Sequence, residues 1–247
     1  FALQSLRDRG WPQQPASGLN CSSPAVGWQM SRESIPMNYE EYRRNYTQGG
    51  LHRELLSDCP LTQFDRWQQQ ALAAELADPT AASLATIEPD GRLWQRIVLL
   101  KSVSDGGFVF FTNYESAKGQ ALAADPRASL LFPWTDLERQ VIVSGVVEKV
   151  SDQESSDYFA SRPRESQLGA WTSQQSQPID SREALMSRFA AITAQYAEQE
   201  VPRPPHWGGF RLMPTRVEFW QGGAHRLHDR FVYSLEGGHW AITRLQP

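Results

Sequence analysis

The 247-residue sequence has only two cysteines, Cys21 and Cys59, which match neither a disulfide framework nor a zinc site. No apolar run approaches the roughly 18 residues that a membrane-spanning helix requires. The first residues also lack the basic-then-apolar order of a signal peptide. The sequence therefore predicts a soluble, cytoplasmic protein that does not enter a membrane.

An excess of positive charge is also missing. The net charge of −4 argues against a nucleic-acid-binding protein, because such proteins gain affinity by neutralising phosphates. The phosphate-binding motifs G-x-x-x-x-G-K-[ST] and G-x-G-x-x-G are absent, as is the nucleophile elbow G-x-S-x-G. The arginines are local rather than massed, which favours a small phosphorylated ligand.

The composition is sufficient for a substantial core. Hydrophobic residues make up 40% of the chain and aromatic residues 11%, with nine tryptophans among them. Residues 1–36 are rich in Pro, Gly, Ser and Gln and show no sustained period, which predicts a disordered extension or a start-site artefact. Met30 and Met37 are alternative starts. We expect residues 37–247 to form a single domain.

Local capping signals predict four helices. Thr62 precedes an amphipathic stretch that stops at Asp78-Pro79, and Ser151 and Glu154 form a capping box. The predicted helices are Thr62–Ala77, Ser116–Ala124, Ser151 to about Pro163, and Ser181–Gln199 with Asp180 as its cap.

Short β-rich runs separated by turn signals predict an antiparallel barrel rather than βαβ units. The turns are Asp90-Gly91, Asp105-Gly106-Gly107 and Glu236-Gly237-Gly238. The fold class is therefore mainly β with flanking helices (α+β). The predicted strands are Ser83–Ile87, Trp94–Val103, Gly107–Thr112, Ala128–Phe132 and Gln140–Val150, followed by the pairs Gly209–Leu212 with Val217–Gln221 and Arg230–Leu235 with Trp240–Arg244.

The segment Trp220–Arg230 has the highest density of reactive side chains. Its eleven residues, WQGGAHRLHDR, contain two Arg, two His and an Asp beside a Gly pair. Such a segment favours an anionic, aromatic ligand, since Arg offers a planar fork for phosphate and His can stack or transfer a proton. A solvated hairpin turn with surface ion pairs is the alternative. His225 and His228 lack a third ligand, so no metal site is predicted.

Three further segments carry cations and hydroxyls at strand or helix ends. Arg96–Lys101 is a strand with a cation at each end, and Ser116-Ala117-Lys118 opens a helix whose amides favour a phosphate. Tyr158–Gln167 presents Tyr, Arg and Ser at a helix end, a set suited to a phosphate monoester. Charged strand ends and helix capping are the ordinary alternatives.

Together these segments resemble the pyridoxamine/pyridoxine 5′-phosphate oxidase family, flavoproteins with the FMN-binding split β-barrel fold. The resemblance covers about Tyr42 to Pro247, and the shared order and spacing of the motifs make it specific. The motifs are RIVLLK (96–101), FTN (111–113), ERQV (138–141), YFASRPRES (158–166), Gln175-Ser176, WGGF (207–210) and EFWQGGAHRLHDR (218–230).

The resemblance implies a homodimer with FMN in a cleft between its subunits. Arg96, Lys118 and Ser176 would contact the FMN phosphate, while Gln140, Trp220 and Arg230 would lie along the flavin. The complete set of FMN-binding residues implied is Arg96, Ile97, Val98, Lys101, Phe111, Thr112, Lys118, Gln140, Gln175, Ser176, Trp220 and Arg230.

It also implies oxidation of pyridoxamine or pyridoxine 5′-phosphate to pyridoxal 5′-phosphate, with O₂ reduced to hydrogen peroxide. Arg226 and His228 would be the catalytic residues, and Asp78 is a secondary candidate near the site. The substrate-binding residues implied are Lys101, Tyr158, Arg162 and Ser166 for the phosphate, Arg226 and His228 for the ring, and Arg43 and Tyr46 in an N-terminal lid.

The sequence departs from the family pattern at two positions. Ala117 stands where the family usually has Arg, so a cation expected at the FMN phosphate is missing. A charge-assisted hydrogen bond contributes roughly 1.5–3 kcal/mol, which predicts weaker FMN retention. Phe111 replaces a common Tyr, with little expected effect if the backbone makes the contact.

Two other functions stay open. The protein could bind FMN or pyridoxal phosphate as a carrier or sensor without oxidising anything, although the complete substrate set argues against this. It could also be a related flavin oxidoreductase that acts on another substrate with a nicotinamide donor.

Overall fold

A computed structural model describes residue 46 and residues 50–247 of the chain, and their framework is a nine-stranded antiparallel sheet. Its strands are β1 (Ala81–Ile87), β2 (Leu93–Leu99), β3 (Ser102–Ser104), β4 (Gly107–Asn113), β5 (Arg127–Trp134), β6 (Arg139–Lys149), β7 (Trp207–Gln221), β8 (Asp229–Glu236) and β9 (His239–Leu245). The helices are α1 (Pro60–Ala73), α2 (Ala117–Ala124), α3 (Asp152–Ser161), α4 (Arg164–Thr172) and α5 (Arg182–Gln195).

The strand order is β2-β1-β5-β6-β7-β4-β3, with β8 paired to β7 and β9 paired to β8. Strand β7 organises this arrangement, because β6 pairs along its length while β4 takes its first half and β8 its second. All pairings are antiparallel, as the sequence predicts.

The predicted pairing of 209–212 with 217–221 is wrong, because both segments belong to the single strand β7. Pro214 resembles a turn signal, yet the chain continues straight through it. A register shift between Ser144 and Gly145 of β6 lies opposite Pro214 and accommodates the missing backbone donor. A Cβ at Gly145 would lie 1.9 Å from the Met213 carbonyl oxygen, so the bulge requires glycine.

The predicted strand Trp94–Val103 is divided at Leu100 and Lys101. The Leu100 amide still donates to the Thr80 carbonyl at 2.9 Å, whereas the Lys101 amide donates to the Val109 carbonyl of β4 at 2.8 Å. The chain therefore passes at this corner from β2, at one edge of the strand order, to β3, at the opposite edge. Lys101 lies at this corner, between the end of β2 and the start of β3.

Aromatic rings fill the space beneath α1. The ring of Phe64 lies 4.8 Å from those of Phe108 and Phe132, and all three side chains are fully buried. The helix begins at Pro60 rather than at Thr62, because proline is well suited to the first helical position. It ends at Ala73, four residues before the predicted end, and Glu75 then adopts a left-handed φ of 51°.

A second apolar cluster packs helices α3, α4 and α5 against the start of β7. Phe159, Leu168, Tyr196 and Trp207 are among its buried residues. Helix α3 confirms the predicted cap, since Ser151 Oγ accepts from the Glu154 amide at 3.0 Å. Helix α4 was not predicted; it starts directly after Pro163. Helix α5 is capped by Ser181 instead of Asp180 and ends at Gln195 instead of Gln199.

All described residues belong to one compact unit, Asn45–Pro247. Among the helices described here, none combines the length and apolar character needed to cross a membrane. The predicted extension 1–36 lies outside the described residues, so the proposed boundary at residue 37 stays a prediction.

Candidate active site

A cleft of about 930 Å³ opens where β2, β4 and the start of α2 face α3 and α4. It brings together residues from segments that are far apart in the sequence. The predicted site residues that line it are Arg96, Ile97, Val98, Lys101, Phe111, Thr112, Lys118, Tyr158, Arg162, Ser166, Gln175 and Ser176. Asp78, by contrast, is exposed and does not line the cleft.

Lys118 is a buried cation on the first turn of α2. Its Nζ donates to the oxygens of Thr112, Ser116 and Gln175 at 3.1 to 3.2 Å, and no carboxylate of a described residue pairs with it. Burial, and after it the neighbouring charge of Arg96, lowers the pKa of Lys118 to about 8. A cation held only by neutral oxygens is electrostatically prepared for an anion.

Arg96 supplies a second cation at this end of the cleft, but a carboxylate already engages it. Its Nη2 lies 3.2 Å from Glu88 Oε1, and its Nη1 donates to Thr86 Oγ1 at 2.6 Å. Burial lowers the pKa of Arg96, while the bond to Glu88 opposes that shift. Glu88 and Thr86 were not identified from the sequence, and only the acidic residue after a predicted strand could have signalled them.

Three nearly parallel rings line the cleft, and they come from β4, α3 and β7. Phe111 stacks on Tyr158 with centroids 4.0 Å apart and on Trp207 with centroids 5.5 Å apart. The guanidinium carbon of Arg162 lies 4.6 Å from the Trp207 centroid, a cation–π arrangement. The WGGF motif indicated this position, although Trp207 was not among the predicted site residues.

Arg162 also has an unused hydrogen-bond donor. Its Nη1 is buried and has no partner among the described residues. Burial is the main cause that lowers the pKa of Arg162. Because a buried donor without an acceptor is costly, this nitrogen indicates that an anionic or carbonyl group completes the site.

The connection after α4 closes the cleft beside Lys118. Gln175 Oε1 accepts from Lys118 and lies 3.4 Å from Thr112 Oγ1. Ser176 has a left-handed φ of 73°, an uncommon conformation for a residue with a side chain. Ser176 is also a predicted site residue, and strained backbone is common at functional sites.

The remaining predicted residues form a second group at the junction of β7 and β8. The Trp220 and His228 rings lie 4.7 Å apart, and the Tyr46 ring meets both edge-on at 5.6 and 5.2 Å. Gln140 and Arg230 flank Trp220 on the neighbouring strands. None of these residues, nor Arg226, lines the cleft of the same chain, and Arg43 lies outside the described residues.

The junction between β7 and β8, residues 222–228, is a tight loop with unusual backbone geometry. His225 and Arg226 adopt left-handed φ values of 56° and 64°. A Cβ on Gly223 would lie 2.3 Å from the Leu227 carbonyl oxygen, so only glycine fits there. The Arg226 side chain is exposed.

His228 has a defined protonation pattern. Its Nδ1 accepts the Gly223 amide at 3.1 Å, so the neutral ring carries its proton on Nε2. Burial, followed by the charge of Arg226, lowers the pKa of His228. The ring is therefore neutral at physiological pH and can donate from Nε2.

Arg230 is held inside its own sheet. Its Nη2 lies 2.7 Å from Glu218 Oε1 in an ion pair, and its Nη1 donates to the Gln246 carbonyl at 3.1 Å. In the part of the chain that the structure describes, no cluster of His, Cys, Asp or Glu has the arrangement of a metal site.

The fold is that of a split-barrel protein, and its cleft is lined by cations and aromatic rings. Residues 68–221 match the family model described as pyridoxamine 5′-phosphate oxidase. Residues 207–247 match a second model, described as pyridoxine 5′-phosphate oxidase C-terminal dimerisation region. The chain belongs to the pyridoxamine 5′-phosphate oxidase family.

Similar curated proteins agree with this assignment. A pyridoxine/pyridoxamine 5′-phosphate oxidase of Shewanella sediminis is 53% identical over 84% of this chain and 98% of its own length. One from Teredinibacter turnerae is 54% identical over 85% of this chain and 100% of its own length.

Solved structures show the same fold. PhzG from Burkholderia lata 383, in complex with tetrahydrophenazine-1-carboxylic acid, is 33% identical with a TM-score of 0.76 and covers 80% of this chain and 98% of its own. A pyridoxamine 5′-phosphate oxidase-related, FMN binding protein from Nostoc punctiforme is 16% identical, with a TM-score of 0.62 over 78% of this chain and 100% of its own. The predicted family and fold class are confirmed.

Proposed function

We propose that the protein catalyses the FMN-dependent oxidation of pyridoxamine or pyridoxine 5′-phosphate to pyridoxal 5′-phosphate, with O₂ reduced to hydrogen peroxide. The names of its relatives support this reaction. The observation that carries it is the cleft, in which buried Lys118 and the unpartnered Nη1 of Arg162 provide two anion anchors beside stacked aromatic rings.

The residues around Lys118 fit the phosphate of FMN. Lys118 is buried without a carboxylate partner among the described residues, so a phosphate would supply the missing negative charge. Arg96 and Ser176 would add donors at the same end, while Ile97, Val98, Lys101, Phe111, Thr112 and Gln175 line the cleft around them. The chemistry that FMN supplies when bound is acceptance of a hydride equivalent and its transfer to O₂.

The second anchor would hold the substrate phosphate. Lys101, Tyr158, Arg162 and Ser166 line the same cleft and together offer ammonium, phenol, guanidinium and hydroxyl donors. A phosphate oxygen that accepts from Arg162 Nη1 would satisfy this unused donor. Because the phosphate is remote from the reacting carbon, the energy of binding it can fix the placement of the ring.

We further propose a homodimer with FMN between the subunits, in which the loop of one subunit completes the cleft of the other. Two observations support it: the loop residues do not line the cleft of their own chain, and the dimerisation match spans the loop. Leu93, Trp94 and Ile97 of β2 also expose apolar side chains that a second subunit would cover.

In this dimer Gln140, Trp220 and Arg230 would contact the flavin, and Arg226 and His228 would cover the substrate ring. His228 would hold a proton at Nε2 near the reacting substituent, as its bond from Gly223 requires. Tyr46 packs against Trp220 and His228, which agrees with a role for Arg43 and Tyr46 in a lid over the substrate.

Anaerobic spectroscopy tests the proposal. We expect the FMN-loaded protein to be yellow, to bleach when pyridoxamine 5′-phosphate is added without O₂, and to regain its colour with release of hydrogen peroxide when air is admitted. A protein that stays colourless with excess FMN contradicts the proposal. Bleaching by a nicotinamide donor but not by pyridoxamine 5′-phosphate would favour the alternative oxidoreductase, and stable yellow colour with both would favour a carrier or sensor.

A further inference from the structure

Arg211 bridges two elements outside the cleft. It lies on β7 four residues after Trp207, and its side chain is only 9% exposed. Its Nη2 lies 2.9 Å from Asp105 Oδ2 and 3.0 Å from Glu154 Oε2, while Glu148 Oε1 lies 3.9 Å from its Nη1. Asp105 belongs to the turn between β3 and β4, and Glu154 to the first turn of α3. One guanidinium group therefore joins the hairpin to the helix.

These two elements carry opposite walls of the substrate anchor. Lys101 immediately precedes β3, and Phe111 lies on β4. Tyr158 follows Glu154 by four residues, which places both on one face of α3. Lys101, Phe111 and Tyr158 all line the cleft.

The walls are not packed together along their whole length. A groove of about 450 Å³ runs between them, lined by residues of both, including Lys101, Glu154 and Tyr158. The stack of Phe111 on Tyr158 is one contact across this gap, and the Arg211 bridge is a second. Two contacts between the walls fix their spacing better than one.

The stem of Arg211 has little freedom to adjust. A Cβ at Gly107 would lie 2.5 Å from Arg211 Cγ, so the stem is packed directly against the hairpin backbone. Its Nε is buried without a hydrogen-bond partner among the described residues. A buried donor without a partner lowers stability. The guanidinium group therefore keeps its position between Asp105 and Glu154 although Nε makes no hydrogen bond.

We propose that Arg211 is a positioning residue for the substrate phosphate. By bridging Asp105 and Glu154 it holds Lys101 and Tyr158 at the spacing that lets both contact one phosphate group. Arg211 itself does not line the cleft. The inference rests on the proposed function, because that function assigns the phosphate to Lys101 and Tyr158.

Steady-state kinetics of the FMN-loaded enzyme test this role. For Arg211→Met we expect the KM for pyridoxamine 5′-phosphate to rise about 10-fold while kcat changes less than about 3-fold, since binding and not chemistry is disturbed. The inhibition constant of inorganic phosphate should rise by a similar factor, and the Kd of FMN should stay unchanged. Arg211→Lys should recover part of the loss, because an ammonium group can still reach one of the carboxylates.

Three carboxylate variants separate the bridge from the charge of Arg211. Glu148→Gln is the matched control, since Glu148 approaches the same guanidinium group but lies on neither wall, and its KM should equal that of the wild type. Asp105→Asn and Glu154→Gln should each raise KM in part. Either one combined with Arg211→Met should add little, because both changes remove the same interaction.

Two outcomes would overturn the proposal. One is a lowered Tm for Arg211→Met with unchanged KM and phosphate inhibition, which would mean a purely structural residue. The other is an equal rise in KM and in the Kd of FMN, which would mean general loosening. If Arg211→Met does not fold, Asp105→Asn and Glu154→Gln decide the matter. If the wild type fails to oxidise pyridoxamine 5′-phosphate, the proposed function fails, and the affinity for inorganic phosphate still tests the bridge.

Discussion

The cleft and the loop 222–228 both carry predicted site residues, but the sequence builds them in opposite ways. The cleft collects side chains from separate segments between Trp94 and Trp207, and of its cations Lys118 is buried while Arg96 and Arg162 are partly buried. The loop presents His225, Arg226 and His228 within four positions, and Arg226 is exposed. Packing fixes the cleft, whereas the loop is held by a few local contacts and two left-handed residues.

This difference shows that the density of reactive residues in a sequence does not measure how complete a site is. No side chain of the densest segment, residues 220–230, lines the 930 Å³ cleft of its own chain. The cleft, whose segments are individually weak signals, is already formed. We therefore expect cleft variants to alter ligand affinity and loop variants to alter turnover.

The largest expected effect is on the loop. Arg226→Ala should lower kcat about 100-fold or more with FMN still bound, because a substrate ring without its cover is poorly placed for transfer. Turnover with pyridoxamine 5′-phosphate and the visible spectrum of the same sample check both parts. Arg92→Ala, in an exposed turn, is the control. Near-normal turnover of Arg226→Ala would contradict the expectation that loop residues determine turnover while cleft residues determine ligand affinity.

A cleft cation should show the complementary behaviour. Lys118→Met should weaken FMN binding by about 10- to 150-fold, which corresponds to roughly 1.5–3 kcal/mol for a charge-assisted bond. Fluorescence titration of the apoprotein with FMN measures the Kd. Once saturated with FMN, the variant should retain much of its kcat. A Kd equal to that of the wild type would place the FMN phosphate elsewhere.

Position 117 offers a change in the opposite direction. Ala117→Arg should tighten FMN about 10-fold, the lower end of a charge-assisted bond, because residue 117 is exposed at the rim of the cleft. Glu88→Gln should act in the same direction by releasing Arg96 from its ion pair. Ala117→Gln has a long side chain without charge and is the control. If the titration shows no gain for Ala117→Arg, the missing cation is not what limits affinity.

The smallest effect concerns pH. Because the pKa of Lys118 is lowered to about 8, its ammonium form predominates below pH 8 and is lost above it. FMN affinity should therefore be level near pH 7 and fall above pH 8 by at most about 10-fold per pH unit. Titrations between pH 7 and 9 measure the slope. In Lys118→Met the slope should disappear, and a slope that persists would assign the titration to another group.

Local signals predicted much of this structure, and long-range pairing accounts for the errors. Ser151 caps a helix as its neighbours in the sequence indicate, and the short helix predicted from Ser116 is present at Ala117–Ala124. The single strand β7 could not be predicted, because the register shift that accommodates Pro214 depends on its pairing with Ser144 and Gly145 of β6, about 70 residues earlier in the chain. The division at Lys101 has the same origin, since β4 supplies its new partner.

The candidate site follows the same rule. The motifs identified many of the residues that the structure gathers in one cleft. Glu88 and Arg211 were missed, because their importance depends on partners that only the folded chain brings near. The roles of the loop residues and the domain boundary at residue 37 stay predictions.

Strand β7 begins at Trp207, in the wall of the cleft, and ends beside Trp220, at the loop. Thirteen residue steps at about 3.3 Å each separate the two rings by roughly 40 Å along the strand. In the proposed dimer, each catalytic centre is therefore a joint property of two polypeptides. Mixing a cleft variant with weakened substrate binding, such as Arg162→Met, with the low-turnover variant Arg226→Ala would then create hybrid dimers in which one centre carries both defects and the other carries none. Restored activity in such a mixture is complementation between subunits, and β7 is long enough to make it possible.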